Sequence, residues 1–500
     1  MEDLPEIKKP VRIPITIAIP DYARDHVFRD QAVLPAVEAM RILAQSTAEF
    51  RKSATATSII NADFDKFLNI DRGATAIEAF NEVEVHNNSS VTSKLVTVRK
   101  SAKTSITRAI EHVSLTFSGI DDVKQPPLDA ILGLEGICLR LDKNRVYDDL
   151  VPFKSAYQNI DTLHLSENGA LALVKGGTAE APPEPLGSPF PLDASFHAAC
   201  VWGQRYRGIV GFPVHLDLRI IRKKTRAGKN YISGIMPVKA DGGVLCFNIW
   251  IYDEGGDLCE EVRGLHMKDV SGKTLLPPGW IRCPDGDPLA SIRDRCGDLS
   301  LIELATVTGP CEKILSGPER ERFASMKGKR RTSFCGARLA LKKLSRRLPG
   351  GDMLTPPDQI TTIQADGLPR CARANGAETM YCTVSHDSRF VVAAVSEKPI
   401  GIDVEEISER VLKGQHHYMR DEEASLVKSH PLGEMEASVR VWSIKEAAAK
   451  AANLNLAQAW KRAMVQKIGG GKSIVLIDYD IVEAVHAVVD GHLFTMLSLD

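Results

Sequence analysis

An α+β protein of more than one domain is what this sequence predicts, and three observations carry that expectation. Its 500 residues exceed what one ordinary core supports, so two to four domains are expected. Near the N-terminus a helical stretch, Ala36-Val37-Glu38-Ala39-Met40-Arg41-Ile42-Leu43-Ala44, gives way to β-rich runs. Near the C-terminus a short apolar run ending in acids, Pro399-Ile400-Gly401-Ile402-Asp403-Val404-Glu405, precedes a helix start, Trp442-Ser443-Ile444-Lys445-Glu446-Ala447-Ala448-Ala449-Lys450.

Composition narrows the class. Lys plus Arg is 63 and Asp plus Glu is 64, a net charge of −1, which argues against a dedicated nucleic-acid binder. Hydrophobic content of 44% and charged content of 25% are those of a soluble globular protein. No run approaches eighteen uninterrupted apolar residues, so no membrane span is expected. The start, Met1-Glu2-Asp3-Leu4-Pro5, is acidic and lacks an apolar signal core. Ten cysteines without a C-x-x-C pair read as reduced thiols, and the expected setting is cytoplasmic.

Taken in order, the first suggestive segment runs from Asp25 to Pro35, where proline opens a helix whose first N–H would be unpaired anyway. Strand-like runs follow at 79–85, 94–98 and 110–117. One helix followed by several antiparallel strands is what a hotdog fold requires. A second unit begins near Tyr157, and a Pro/Gly/Ala-rich stretch from Ala179 to Pro191 reads as a connector between units. It leads into Pro191-Leu192-Asp193-Ala194-Ser195-Phe196-His197, where Asp193 is a candidate helix N-terminus and His197 lies one turn on. Further strands are expected at 243–253 and 264–267.

Singly, a histidine before an apolar run and an aspartate at a helix start are structural features. Together, the spacing His26 to Pro35 resembles the H-x-x-x-G-x-x-x-x-P motif of polyketide and fatty-acid synthase dehydratases, with Asp30 where the family has glycine. Asp193 to His197 is similar to the D-x-x-x-Q/H motif of the second hotdog in those domains, with histidine instead of the commoner glutamine. Lys154-Ser155 replaces the family's Gly-Pro step between Phe153 and Tyr157. The resemblance implies loss of water from a 3-hydroxyacyl thioester, with His26 as base, Asp193 as acid and His197 orienting Asp193.

From about residue 305 a third unit begins with Leu315–Phe323, followed by a basic run from Lys327 to Arg338. Such a run is usually a solvated face. In the later strand-like run, Asp403 and Glu405 project from one face, because side chains alternate along a strand. Glu446 and Lys450 are neighbours on one helix face. Three carboxylates and one ammonium are hard groups suited to Mg²⁺ and a phosphate-bearing substrate, although each pair alone reads as a solvated surface. G-I-D-V-E followed about forty residues later by W-S-x-K-E-A-x-x-K resembles the larger, two-lobed 4′-phosphopantetheinyl transferases of the surfactin-synthetase type. These move phosphopantetheine from coenzyme A to a carrier-protein serine. The resemblance implies Mg²⁺ on Asp403, Glu405 and Glu446, with Glu446 also a candidate base and Lys450 on phosphate. It further implies coenzyme A contacts from Arg331, Arg338, Ser385 and His386. Leu368 stands where the family's G-K/R-P turn has a cation, with Arg370 two residues on.

The expected architecture is therefore a double-hotdog dehydratase over 1–305, halved at 150/151, then a pseudo-duplicated transferase over 306–500. Expected partners are an acyl carrier protein, coenzyme A and a carrier-bound 3-hydroxyacyl chain, with neither nucleic acid nor membrane. A homodimer through the hotdog edge stays open. A different class of reading makes the first 300 residues a silent docking or dimerising scaffold, and a third makes Lys327 to Arg331 an RNA-binding tail.

Overall fold

The computed structural model describes residues 10–51, 57–86, 90–100, 107–119, 124–178, 185–241, 243–364, 366–371 and 380–499. The chain divides into two compact units. Unit 1 comprises Met1–Lys124 and Cys138–Cys283, and unit 2 comprises Gln125–Ile137 and Pro284–Asp500. Among the described residues no helix is long and apolar enough to cross a membrane.

Unit 1 opens with β1 (Val11–Ala18), a short hairpin of β2 (Val27–Phe28) and β3 (Gln31–Ala32), and α1 (Ala36–Phe50). Strands β4 (Ser58–Phe64), β5 (Ala76–Val85), β6 (Val91–Lys100) and β7 (Thr107–Ser118) follow. The chain then lends α2 (Leu128–Ile131) to unit 2 before returning. The second half of unit 1 holds β8 (Leu139–Asp142), α3 (Lys143–Asp149), β9 (Ile160–Ser166), β10 (Gly169–Lys175) and α4 (Phe190–Arg207). It closes with β11 (Phe212–Ile221), β12 (Asn230–Asp241), β13 (Val244–Asp253) and β14 (Leu258–Lys268).

Twelve of these strands form one antiparallel sheet in the order β1-β5-β6-β7-β4-β11-β14-β13-β12-β10-β9-β8. Pairing of β4 with β11, Ile60 opposite Leu218, fuses the two halves. Each half wraps one helix. α1 buries Val37, Met40, Ala44 and Thr47 against β5, β6 and β7, the 3–4 spacing of one helical face. α4 is buried almost all round from Phe190 to Gln204, as a helix enclosed by sheet must be. This is the double-hotdog arrangement.

Three expectations need correction here. The halves meet before residue 139 and not at 150, because β8 pairs with β9 of the second half. The described part of the Pro/Gly-rich connector joins β10 to α4 inside that half; residues 179–184 lie outside the described residues. Asp193 is not the N-cap of α4, since the helix already begins at Phe190 and tolerates Pro191 in its first turn.

Asp30 is accommodated without difficulty. Arg29 and Asp30 have φ of 49° and 61° and form the two-residue turn of the β2–β3 hairpin, where a connection this short demands left-handed residues. Aspartate is among the few non-glycine residues that adopt this conformation readily.

Unit 2 contains α5 (Ala290–Arg293), β15 (Asp298–Glu303), α6 (Gly317–Ala324) and α7 (Lys329–Arg347), then β16 (Tyr381–His386) and β17 (Phe390–Ser396). After these come β18 (Ile400–Glu406), α8 (Gln415–Tyr418), α9 (Asp421–Lys428), α10 (Glu434–Ala451) and α11 (Leu456–Arg462). Strands β19 (Ala463–Lys467), β20 (Lys472–Ile477), β21 (Asp480–Val489) and β22 (His492–Ser498) complete it. One lobe packs α7 on the sheet β15-β17-β16, and the other packs α10 on the sheet β18-β22-β21-β20-β19. A shared core that includes Leu301, Val392, Ile402 and Phe494 joins the two sheets.

The expected border at 305/306 therefore falls too late. β15 is the partner of β17, Leu301 opposite Val392, so residues from 284 onward belong with unit 2. The segment 125–137 belongs there as well. Leu132 enters the core beneath α7, Asp129 forms a bidentate pair with Arg346, and Glu135 binds Arg347 at 2.9 Å and Ser300 at 2.5 Å.

Two candidate active sites

In unit 1, the hairpin and α4 converge on a cavity of about 580 Å³ with largely aromatic and aliphatic walls, among them Phe28, Phe67, Phe196 and Phe212. His26, Asp193 and His197 line it and offer nitrogen and oxygen atoms that all lie within 4.8 Å of one another. His26 Nδ1 lies 3.2 Å from the Val33 carbonyl. A carbonyl only accepts, so Nδ1 carries the hydrogen and Nε2 keeps a free lone pair. Desolvation pushes the His26 imidazole down to about 4, while the Asp193 carboxyl pulls it up and His197 adds to the lowering.

Asp193 and His197 share one face of α4, with His197 Nε2 3.1 Å from Asp193 Oδ2. The approach is off the hydrogen-bond axis, so this buried Oδ2 has no aligned partner among the described residues. Phe153 stacks on both imidazoles, 4.3 Å from His26 and 4.7 Å from His197 between ring centres. Its ring fixes their planes and keeps water off their faces.

In unit 2 the site forms where β18 crosses α10. Gly401 makes the crossing possible, since a Cβ there would lie 1.8 Å from the Ala447 carbonyl oxygen. Asp403 and Glu405 then face Trp442, Glu446 and Lys450, which repeat every four residues along one side of the helix. Asp403 is 1% exposed. Its Oδ1 accepts from Ser385 Oγ at 2.8 Å and Lys450 Nζ at 2.9 Å, and its Oδ2 has no partner among the described residues. Lys450 also donates to Ser385 Oγ and the Ile402 carbonyl. Glu405 accepts from Trp442 Nε1 at 3.0 Å and from the Arg410 guanidinium at 2.7 Å. Glu446 lies 3.8 Å from Lys450.

The electrostatics show an excess of negative charge. Glu446 is pushed up to about 7, first by burial and then by Asp403, with Lys450 opposing. Glu405 is also raised, by burial and by Asp403, against Arg410 and the Trp442 N–H. Burial and the neighbouring Asp403 charge together make these carboxylates resist ionisation.

Comparison with known proteins agrees with this division. Residues 139–277 match the family model of the polyketide synthase dehydratase N-terminal domain, a stretch that includes Asp193 and His197 but begins after His26. Residues 399–492 match the 4′-phosphopantetheinyl transferase superfamily. A 4′-phosphopantetheinyl transferase of Bacillus subtilis is 26% identical over 157 residues, covering 29% of this chain and 68% of that protein. Among solved structures, the dehydratase domain from the CurJ module of curacin polyketide synthase gives 16% identity and a TM-score of 0.43, over 53% of this chain and 93% of its own. The dehydratase domain of RzxB from Pseudomonas fluorescens gives 15% and 0.41, over 53% and 98%. The chain thus matches two separate family models, the dehydratase one over 139–277 within unit 1 and the transferase one over 399–492 within unit 2.

Of the residues singled out in the sequence, His26, Asp193 and His197 come together in unit 1. Asp403, Glu405, Glu446, Lys450 and Ser385 come together in unit 2, Ser385 as a strut between Asp403 and Lys450. His386 ends β16, where partial desolvation and the Lys450 charge lower its proton affinity. Arg331 pairs with Glu312 at 2.7 Å and lies over the Phe323 ring. Arg338 is not brought to the site. It is 5% exposed and donates to the carbonyl and hydroxyl of Thr362 inside the lobe. Leu368 is exposed on its turn. The sequence reading assigned no role to four residues that touch the sites: Trp442, which packs against the core and also donates to Glu405, together with Arg410, Phe153 and Tyr147. The i, i+4 spacing from Glu446 could have found Trp442. Phe153 flanks the Lys154-Ser155 step already compared with the family motif, and nothing local marks Arg410 or Tyr147.

Proposed function

We propose that this protein transfers 4′-phosphopantetheine from coenzyme A to a serine of an acyl carrier protein and dehydrates 3-hydroxyacyl chains carried on that arm. The observation that carries the transferase half is the placement of Asp403, Glu405 and Glu446 around Lys450, with a buried Asp403 oxygen that has no partner among the described residues. This all-oxygen donor set fits Mg²⁺. Asp403, Glu405 and Glu446 would hold it, and the bound cation would neutralise charge on the pyrophosphate. Lys450, already held by Asp403 and Ser385, supplies a further positive charge to phosphate. The serine Oγ–P bond forms as the P–O bond to the nucleotide breaks, and Glu446, with a raised proton affinity, takes the serine proton.

In unit 1 the support is the pairing of two unlike groups on an apolar cavity. His26 Nε2 removes the Cα proton, Asp193 gives a proton to the departing hydroxyl, and water leaves behind a 2,3-unsaturated thioester. Proton return from His26 to Asp193 resets the site.

The direct test incubates the protein with Mg²⁺, coenzyme A and apo carrier protein, then supplies a 3-hydroxyacyl carrier substrate. Intact-protein mass should rise by one phosphopantetheine, and a second experiment should show loss of water. His26→Ala and Asp193→Asn are each expected to slow dehydration by about 10²–10⁴-fold, the usual worth of a positioned acid or base. Dehydration untouched by either substitution would leave unit 1 as a docking scaffold. Because His26 must be neutral to act and is held near 4, the acidic limb of the kcat/KM profile for dehydration should have its midpoint near 4, where protonation removes the base. A midpoint at the ordinary histidine value near 6.5 would contradict the desolvated site.

A further inference from the structure

We propose that Tyr147 is a positioning residue that locks His197 in its Nε2–H tautomer and so keeps the proton of Asp193 available to substrate; this rests on the dehydratase reading above. Tyr147 ends up 2% exposed on α3, so its hydroxyl has to satisfy itself within the protein. Its oxygen accepts the Ile160 backbone N–H at 3.0 Å. Its own hydrogen then needs an acceptor, and His197 Nδ1, 3.4 Å away, is the one the structure supplies. Burial raises the proton affinity of the phenol, which keeps it a donor throughout the working pH range. An Nδ1 that accepts must leave the hydrogen of the neutral ring on Nε2, the nitrogen beside Asp193 Oδ2.

The chemical consequence concerns the acid. With the opposite tautomer, Nε2 would carry a lone pair 3.1 Å from Asp193 Oδ2, and once turned onto the hydrogen-bond axis it would take the hydrogen bond, or the proton itself, from a protonated Asp193. The leaving hydroxyl would then meet no donor. With Nε2–H in place that loss is blocked, and the Asp193 proton has only the cavity to face. The same lock bears on metals. His26, Asp193 and His197 have the donor atoms of a two-histidine, one-carboxylate site, but a metal would need the lone pair of His197 Nε2 that Tyr147 has committed to hydrogen.

A double-mutant cycle separates this role from mere packing. Tyr147→Phe is made in the natural His197 background and in His197→Gln, whose amide offers Asp193 a donor without a tautomer to choose. The expected result is a loss of dehydration rate of tenfold or more in the histidine background and less than twofold relative to His197→Gln in the glutamine background. Thermal midpoints are measured on all four proteins, since the unpaired Ile160 N–H costs stability equally in both. A second arm needs no turnover. ¹⁵N spectra of histidine-labelled protein, with the His197 signals identified by their loss in His197→Gln, should show Nε2–H in the wild type and a shift toward Nδ1–H in Tyr147→Phe. Co²⁺ absorption should appear only in Tyr147→Phe. Equal rate losses in both backgrounds, or an Nδ1–H tautomer in the wild type, overturns the proposal. A wild type that shows the Nε2–H tautomer but never dehydrates overturns the dehydratase reading and leaves the tautomer lock standing.

Discussion

Asp403→Ala should lower phosphopantetheine transfer by at least about 10³-fold while dehydration of a supplied substrate continues unchanged. Asp403 is the member of its cluster with the most to lose. One oxygen fixes Lys450 and Ser385, and the other is buried with no partner among the described residues. Under the proposed function, alanine would remove a cation ligand and free the lysine that would meet phosphate. It also removes the second-largest cause of the raised Glu446 proton affinity, so the proposed base should titrate closer to an ordinary glutamate. Three measurements check this: carrier-protein mass gain, the rise in thermal midpoint on adding Mg²⁺, and the pH profile of transfer. Wild-type protein should be stabilised by the cation and the variant should not. Transfer at more than a tenth of the wild-type rate would dismiss the Asp403 site.

The second large effect concerns dissection. A transferase cut at residue 306, where the sequence places the border, should fail to fold. That cut discards β15, exposing the edge of β17, and removes the segment 125–137. Arg346, buried in α7, would lose the Asp129 carboxylate that receives both of its terminal nitrogens. Breaking a buried ion pair by deleting one partner costs about 3–5 kcal/mol, a large part of the stability of a domain this size. A chain starting at 284 keeps β15 but still lacks Asp129, so it should be less stable than the full chain. Adding a peptide spanning 124–138 should recover part of the difference. Circular dichroism melts of the two truncations, with and without peptide, decide the matter. A 306–500 fragment as stable as the intact protein would refute it.

What the sequence made legible was local. Asp403, Glu405, Glu446 and Lys450 were found by the period of a strand and the period of a helix, and β18 and α10 have those periods. The close contact at Gly401 was implicit in the same motif, because only glycine lets backbone meet backbone there. The misplaced features depend on distant pairing. β15 is a strand because β17, some ninety residues on, pairs with it, and segment 125–137 belongs to unit 2 because of Arg346. Arg338 was misread because a basic run on a helix does not reveal which turn faces inward; the backbone of Thr362 did that. Asp193 was seen as a helix-start residue, one turn earlier than the helix allows.

The crowding of carboxylates between β18 and α10 has a consequence for the life of the protein in a cell. Folding gathers Asp403, Glu405 and Glu446 with Lys450 and Arg410 as nearby positive partners, so these side chains carry an electrostatic strain that the unfolded chain does not. A cation that binds only the folded site relieves it, and the gain grows with the logarithm of free cation concentration. Susceptibility to proteases follows the fraction of molecules that open. Under the proposed function, Mg²⁺ depletion would therefore shorten the lifetime of the whole polypeptide as well as slow its transferase, and the dehydratase encoded on the same chain would disappear with it.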